Sequence, residues 1–274
     1  MNQTDKVNNR NFNFDNHKSL PNLGNIPSNW EYRKLFQQNL PKKQTINEIL
    51  NSLPPNILKN VLSLMEQVNL EAGEYLYQPE DVINYFYFPE TAIVSDFQIL
   101  EDGKTLEVAM IGREGVAGIT SIFNTHLSPN WLQVSIPGKA LRIESKVFRQ
   151  EFSSNQHLQL LLHEYVNLYI AQISQKVICN SHHSVEERLC CWLLMISDRC
   201  GRNTLALTQE QIAGFLGVHR PSITLITQSL RKKGIIDYLR GKILILDKRK
   251  LESASCDCYL TTQIKRNSFY NCHL

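Results

Sequence analysis

The chain has 274 residues, enough for about two domains with cores of their own. Its formal net charge of +3 is too small to indicate a partner by itself, and no apolar run reaches membrane-spanning length. All seven cysteines lie beyond residue 178, which excludes a secreted disulfide framework, and no signal-peptide pattern follows Met1, so we expect a cytoplasmic protein without membrane contact.

Residues 1–44 are rich in asparagine and lack periodicity, and we predict a mostly disordered arm. Apolar residues at helical spacing follow between Ile46 and Leu62. From Val68 to about Ile143 the pattern changes to short β-rich runs separated by turn residues. Many short strands at this spacing indicate an antiparallel roll, barrel or sandwich over residues 45–150.

A long helical pattern covers about residues 147–180. A stripe of large side chains recurs on it at alternating steps of three and four residues: Leu158, Leu161, Tyr165 and Leu168. This spacing is typical of a helix that packs along a partner helix, so we predict a dimerisation helix over residues 151–182. Packing of the same stripe on the chain's own β domain is the alternative.

The stretch from Leu207 to Gly234 has the pattern of two short helices joined by a tight turn. Thr208 is a hydroxyl N-cap with Gln211 at the capping-box position, and Gly217 ends the first helix. Proline is tolerated in the first turn of the second helix. The face of that helix predicted to point outward carries Arg220, Pro221, Thr224, Leu225, Gln228 and Lys232.

That outward face begins with short polar side chains and ends with basic ones, as a helix entering the DNA major groove requires. A helical hairpin with an ordinary solvated face is the alternative. Residues 235–246 predict a β-hairpin wing, and eight basic residues between 231 and 250 stand against two acidic ones. A helix-turn-helix with a basic wing over residues 183–253 favours DNA, and such proteins usually pair to read two half-sites.

Residues 254–274 are predicted to form a flexible tail. Cys256, Cys258, Cys272 and His273 could assemble a soft-metal or redox site within it, but in an unstructured tail this spacing is a weak indication, and we predict no metal site.

Four segments carry a resemblance to a known family: LTQEQIAGFLGVHRPSITLITQSLRKKGII, ERLCCWLLMISDR, EAGEYLYQPEDVINYFYFPETAIVS and IGREGVAG. They resemble the cyclic-AMP receptor protein and fumarate–nitrate regulator (Crp/Fnr) family of bacterial transcription factors, over roughly residues 53–251. The resemblance implies an α+β fold, with an N-terminal antiparallel β-roll of the cyclic-nucleotide-binding type, a long dimerisation helix and a C-terminal winged helix-turn-helix. It also implies double-stranded DNA, RNA polymerase and a second copy of the chain as partners.

The DNA-contacting set that the resemblance implies is Thr208, Gln209, Arg220, Pro221, Ser222, Thr224, Leu225, Gln228 and Lys232. Thr208 and Gln209 would contact phosphates at a helix N-terminus, and Arg220 would donate two hydrogen bonds to a guanine. Pro221 replaces the family's frequent glutamate, and Leu225 replaces a second base-reading arginine. The operator should therefore differ from the best-known sites of the family.

The family's β-roll often binds a cyclic nucleotide through a Gly-Glu pair and an arginine further along the chain. The matching pair here is Gly118-Ile119, and between Arg113 and Lys139 only His126 could carry a positive charge. A phosphate moved out of water without a charged partner is strongly disfavoured, so we expect no binding of cyclic AMP or cyclic GMP and assign no cofactor. Backbone amides around residues 115–118 could still hold another anion.

We therefore predict a homodimeric, sequence-specific DNA-binding transcriptional regulator that is not an enzyme. One alternative keeps the fold but makes the β-roll a ligand-free scaffold. Another is a regulatory subunit that uses the β-roll without DNA. The basic helix-turn-helix argues against the second alternative.

Overall fold

The structure, a computed structural model, describes residues 45–123 and 125–271. The predicted N-terminal arm and the pair Cys272 and His273 lie outside the described residues. Within the described ranges, no helix combines the length and apolar character needed to cross a bilayer.

Two short helices, α1 (Glu48–Asn51) and α2 (Pro55–Ser63), precede the sheets. The buried side chain of Asn47 caps α1, and its amide nitrogen donates to the main-chain oxygens of Pro89 and Gly115, each at 3.0 Å. One asparagine therefore fastens this helical segment to the β domain.

Seven strands form the β domain: β1 (Glu66–Leu70), β2 (Tyr75–Tyr77), β3 (Tyr85–Pro89), β4 (Ile93–Ile99), β5 (Thr105–Ile111), β6 (Trp131–Ile136) and β7 (Gly138–Glu144). They pair antiparallel in two sheets, ordered β1-β7-β3 and β2-β6-β4-β5. Side chains from both sheets, such as Leu70, Val94 and Val134, pack in one core. The predicted antiparallel β-roll is confirmed.

The long helix predicted after the β domain is divided in two. Helix α3 (Ser145–Ser154) ends at Asn155, whose side chain accepts a 3.2 Å hydrogen bond from the main-chain nitrogen of Leu158 and thereby caps α4 (Gln156–His182). The cap sets where the 27-residue helix begins.

The predicted dimer seam on α4 is wrong. Leu158, Leu161 and Tyr165 are at most 3% exposed and pack with Phe86 and Phe148 in the core of the chain's own β domain. Leu168 is half-buried against the same core. A stripe at three- and four-residue steps shows that a helix has an apolar face, but it does not show which apolar surface covers that face. The alternative of packing on the β domain therefore holds.

The C-terminal domain comprises α5 (Val185–Cys200), β8 (Thr204–Leu205), α6 (Gln209–Leu216), α7 (Arg220–Lys232), β9 (Ile236–Leu239), β10 (Lys242–Ile245) and α8 (Lys248–Ser253). The strands form an antiparallel sheet ordered β8-β10-β9. Reciprocal capping boxes begin α5 at Ser184 and α6 at Thr208. The predicted winged helix-turn-helix is confirmed.

The predicted flexible tail is also wrong over most of its length, because α9 (Cys258–Asn271) packs against α4 and α5. Phe269 is 9% exposed, and the Tyr270 hydroxyl donates to the main-chain oxygen of Glu114 at 2.6 Å. Arg266 also forms an ion pair with Glu48. The amphipathic pattern of this helix is weak, and these tertiary contacts stabilise it.

Candidate DNA-binding surface

The turn between α6 and α7 sets the angle of the helix-turn-helix. Gly217 adopts a left-handed conformation at φ 64°, which a side chain would disfavour. The main-chain nitrogen of the next residue, Val218, donates a 3.0 Å hydrogen bond to the main-chain oxygen of Ala213. Ile223 and Leu230 are fully buried and hold the inner face of α7 against the core.

The opposite face of α7 lies open to solvent. Leu225 is 68% exposed, and Arg220, Pro221, Gln228 and Lys232 are exposed as well. Ser222 and Thr224 are half-buried at the edge of this face. The exposed face of α7 therefore has the guanidinium of Arg220 at its start, small or apolar side chains in its centre and the ammonium group of Lys232 at its end.

Two of the predicted phosphate contacts have structural partners. The Gln209 side-chain oxygen accepts from the Thr224 hydroxyl at 2.8 Å, and its nitrogen donates to the Thr227 hydroxyl at 3.1 Å. The Thr208 hydroxyl accepts from the main-chain nitrogen of Gln211 at 3.2 Å. Gln209 therefore joins α6 to α7, and sequence reasoning missed this positioning role.

The basic region is partly neutralised within the chain. Four of its eight cations pair with carboxylates: Arg231 with Asp237, Lys233 with Glu186, Lys248 with Asp198 and Lys250 with Asp247. The other four, Lys232, Arg240, Lys242 and Arg249, make no ion pair within the described residues. Exposed ion pairs contribute about 0–1 kcal/mol, so a phosphate can compete for the paired cations too.

The wing turns sharply at Arg240 and Gly241, with φ values of 49° and 76°. Both are positive, as a two-residue hairpin turn that follows the strand twist requires. The turn holds the exposed Arg240 side chain at the tip of the wing.

The helix-turn-helix packs directly on the β domain, a contact that the sequence does not predict. A Cβ atom on Gly214 would lie 2.8 Å from the Thr105 hydroxyl oxygen, and one on Gly217 would lie 2.9 Å from a methyl carbon of Leu106. Phe215 also meets Phe97, with ring centroids 6.5 Å apart. A glycine inside the short helix α6 was the one signal of this close approach.

Buried polar groups join the two domains. Glu107 on β5 accepts from the Trp192 indole nitrogen of α5 at 2.8 Å and from the Ser95 hydroxyl at 2.6 Å, and it lies 3.3 Å from Lys176 of α4. Glu114, in the turn after β5, pairs with Arg199 of α5 at 2.5 Å. Both carboxylates are at most 4% exposed, so the joint is ordered by charge as well as by apolar packing.

The space beside Gly118 and Ile119 in the β-roll is small and is lined by an acidic side chain. Ile119, which follows Gly118, is 4% exposed, and a space of about 20 Å³ remains between this turn, β6 and α4. Asp96 lines that space, and the Tyr169 hydroxyl donates to it. Burial raises the pKa of Asp96 to about 6.

Arg113, in the neighbouring turn, is half-buried and lies 3.2 Å from Glu48. The main-chain nitrogens of Gly115 and Ala117 donate to the oxygens of Gly112 and Tyr87. Arg113 and the main-chain amides of Gly115 and Ala117 therefore already make contacts within the chain.

A β-roll, a long helix and a winged helix-turn-helix together define a DNA-binding protein of the regulator class. A family model described as the Crp-like helix-turn-helix domain matches residues 187–254, and one described as the cyclic nucleotide-binding domain matches residues 67–155.

The anaerobic regulatory protein of Bacillus subtilis is 21% identical over 216 residues, 74% of this chain and 90% of that protein. The global nitrogen regulator of Nostoc sp. is 22% identical over 184 residues, 64% of this chain and 82% of that protein. The structure of FixK2 from Bradyrhizobium japonicum covers 70% of this chain and 98% of its own, with a TM-score of 0.60 and 15% identity. The chain belongs to the Crp/Fnr family and is a DNA-binding transcriptional regulator.

Proposed function

We propose that the protein acts as a homodimer that reads a two-fold symmetric operator through α7 and communicates with RNA polymerase. The observation that carries this proposal is the exposed face of α7, with Arg220 at its start and Lys232 at its end. Two such helices related by a two-fold axis would enter successive major grooves on one side of the duplex.

Base readout rests on few side chains. Arg220 is 64% exposed in its side chain and lies 3.8 Å from Glu210, a contact too long and too exposed to hold it away from DNA. Its guanidinium could bond a guanine edge with two hydrogen bonds. Leu225 offers apolar contact to a thymine methyl group. Thr208 and Gln209 would support the helix, and main-chain nitrogens at the start of α6 would meet phosphate.

A second face of α4, opposite the one that packs on the β-roll, supports the homodimer. Leu160, Ile170 and Val177 are 53%, 55% and 61% exposed. Ile170 and Val177 stand seven residues apart, and Leu160 falls three residues before His163, the preceding position of the same seven-residue series. This is the spacing of a coiled-coil seam between two helices. The new seam replaces the one predicted from sequence.

We also propose that the β-roll does not bind cyclic AMP or cyclic GMP. A space of about 20 Å³ holds roughly one water molecule, not a nucleotide. Its wall presents the Asp96 carboxyl group, which above pH 6 would repel a phosphate. The β-roll would instead serve as a scaffold for the joint with α5.

The DNA proposal is tested by comparing Arg220→Ala with Lys232→Ala on an operator selected from random DNA. Arg220→Ala should cost about 1–3 kcal/mol per half-site and relax the preference at one base pair. Lys232→Ala should weaken all sequences alike and lower the salt dependence by about one unit per half-site. Unchanged affinity and specificity in the Arg220 variant would contradict the proposed orientation of α7.

A further inference from the structure

Two segments far apart in sequence bring together four side chains of the types that bind metal ions. Cys179 lies in the last turns of α4, His183 caps the end of that helix, and Cys256 and Cys258 flank the start of α9. Their ligand atoms all lie within 4.8 Å of one another. The three cysteines are between 3% and 7% exposed, and His183 is 21% exposed in its side chain. The sequence had suggested Cys272 and His273 as the partners of Cys256 and Cys258.

The spacing fits one tetrahedral ion. Zinc binds thiolate sulfur at about 2.3 Å and imidazole nitrogen at about 2.0 Å, so tetrahedral geometry puts two sulfurs about 3.8 Å apart and a sulfur and nitrogen about 3.5 Å apart. The Cys179 and Cys256 sulfurs are 3.6 Å apart, and the Cys258 sulfur is 3.4 Å from His183 Nδ1. Small side-chain rotations would bring the remaining pairs to the same spacing.

The surroundings match those of a metal site. His183 Nε2, the nitrogen that faces away from the sulfurs, lies 3.4 Å from the Asp257 carboxylate. Metal-binding histidines usually donate their second nitrogen to such a group, which fixes the ring and increases its basicity. The Gln175 amide nitrogen also donates to the Cys258 sulfur at 3.1 Å.

A cation faces the same region. Arg188 lines a small cavity together with Cys179 and Cys258, and its Nε atom is buried without a hydrogen-bond partner within the described residues. Three thiolates and one divalent ion carry a net charge of −1, which a buried guanidinium would balance. Arg188 Nη2 also donates to the main-chain oxygen of Leu216, the last residue of α6.

We propose that Cys179, His183, Cys256 and Cys258 bind a single zinc-class divalent ion. The ion would fasten α9 to the end of α4, at the point where the long helix passes to α5 and the DNA-binding domain. An iron–sulfur cluster fits less well, because its thiolates bind different irons and therefore stand farther apart. Through Arg188 the ion would also influence the position of α6.

The experiment uses the full-length chain, purified under reducing conditions with no added metal and with any affinity tag removed. Elemental analysis should find one zinc per chain. After exchange with Co²⁺, the protein should show thiolate-to-cobalt charge-transfer bands and the intense visible bands of tetrahedral coordination. These readouts require no variant and do not depend on DNA binding. Removal of zinc by a chelator should lower the Tm, because the ion binds the folded state only.

Variants locate the site. Cys179→Ser and Cys256→Ser should each weaken Zn²⁺ affinity at least tenfold and alter the Co²⁺ spectrum. Asp257→Asn should retain the tetrahedral spectrum but weaken affinity about tenfold, the lower end of the range for groups that support a ligand. Cys200→Ser removes a different buried thiol and is the matched control, so it should bind zinc as the parent does.

Three results would overturn the proposal. The first is less than one zinc per two chains, bound equally by Cys179→Ser and Cys200→Ser. The second is bound iron with acid-labile sulfide in place of zinc. The third is a Cys179–Cys256 disulfide that persists in the reduced preparation, identified by intact mass after thiol alkylation.

Discussion

The ion pair between Glu114 and Arg199 gives a quantitative test of the joint between the two domains. Arg199 donates from Nε to Glu114 at 2.5 Å and from Nη2 to Gln172 of α4 at 2.7 Å, and both charged side chains are at most 6% exposed. The main-chain nitrogen of Gly112 also donates to the Glu114 carboxylate at 3.1 Å. Removing one member of such a pair leaves an uncompensated buried charge, which typically costs about 3–5 kcal/mol.

Arg199→Met should therefore lower the free energy of unfolding by about 3–5 kcal/mol, which corresponds to a Tm roughly 10 °C lower for a domain of this size. Glu114→Gln should also be costly, because it leaves the Arg199 charge buried. The double variant should recover much of the loss, since an uncharged pair of similar volume is often neutral. Arg202→Met, an exposed arginine just after α5, is the matched control and should change stability by about 0.5 kcal/mol or less.

The assay is urea unfolding followed by circular dichroism and by tryptophan fluorescence, with a double-mutant cycle on the four proteins. Burial would raise the pKa of Glu114, but the charges of Arg199 and Arg266 outweigh burial and hold it below its usual value of 4.5. A lowered carboxyl pKa stabilises the folded state above pH 4.5, and this stability is lost as pH falls through the folded-state pKa. The deficit of Glu114→Gln should narrow below pH 4.5. Losses from the two single variants that simply add would refute this reasoning.

Three further predictions concern assembly, pH and ligands. Ile170→Glu combined with Val177→Glu should give folded monomers by light scattering, and DNA titration should show weak operator binding. Leu100→Glu, at an exposed position on the β4–β5 turn, is the control and should leave the dimer intact. Asp96→Asn should stabilise the protein by up to about 3 kcal/mol above pH 6 and by little near pH 4. The reason is that a carboxyl group with a raised pKa costs stability as pH rises from 3.8 to about 6. Thermal unfolding of both proteins across this pH range measures the difference. Calorimetry should detect no binding of cyclic AMP or cyclic GMP to the purified protein, and a micromolar Kd for either nucleotide would contradict the scaffold role of the β-roll.

Local signals in the sequence were sufficient for the DNA-binding domain. The capping boxes at Ser184 and Thr208, the left-handed Gly217 and the two-residue turn at Arg240 each depend on a few neighbouring residues. The inward and outward faces of α7 also followed from helical spacing alone, because one side of a short helix must be buried. The capping box at Thr208, the helix end at Gly217 and the hairpin within residues 235–246 are found where the sequence predicts them.

Features that depend on distant residues could not be predicted in the same way. The stripe from Leu158 to Leu168 fits a partner helix and the β-roll equally well, and only the fold shows that the β-roll covers it. The apolar side chains of residues 258–271 form only a weak helical pattern, and the order of this segment depends on partners such as Glu48 and Glu114, more than 140 positions away in the chain. A separation of 77 positions likewise concealed the proximity of Cys179 to Cys256.

The location of the buried charges indicates where a signal can act on the DNA-binding helices. Glu107 and Glu114 hold α5 against β5 and the turn after it, and a buried ion pair tolerates little change in geometry before it breaks. A rotation of α5 relative to the β-roll should therefore be an abrupt transition between two arrangements rather than a gradual one. The cluster of Cys179, His183, Cys256 and Cys258 lies where α4 ends and α5 begins. An ion bound there would bias this transition without any ligand entering the β-roll, because α6 and α7 share a core with α5 and would follow its rotation.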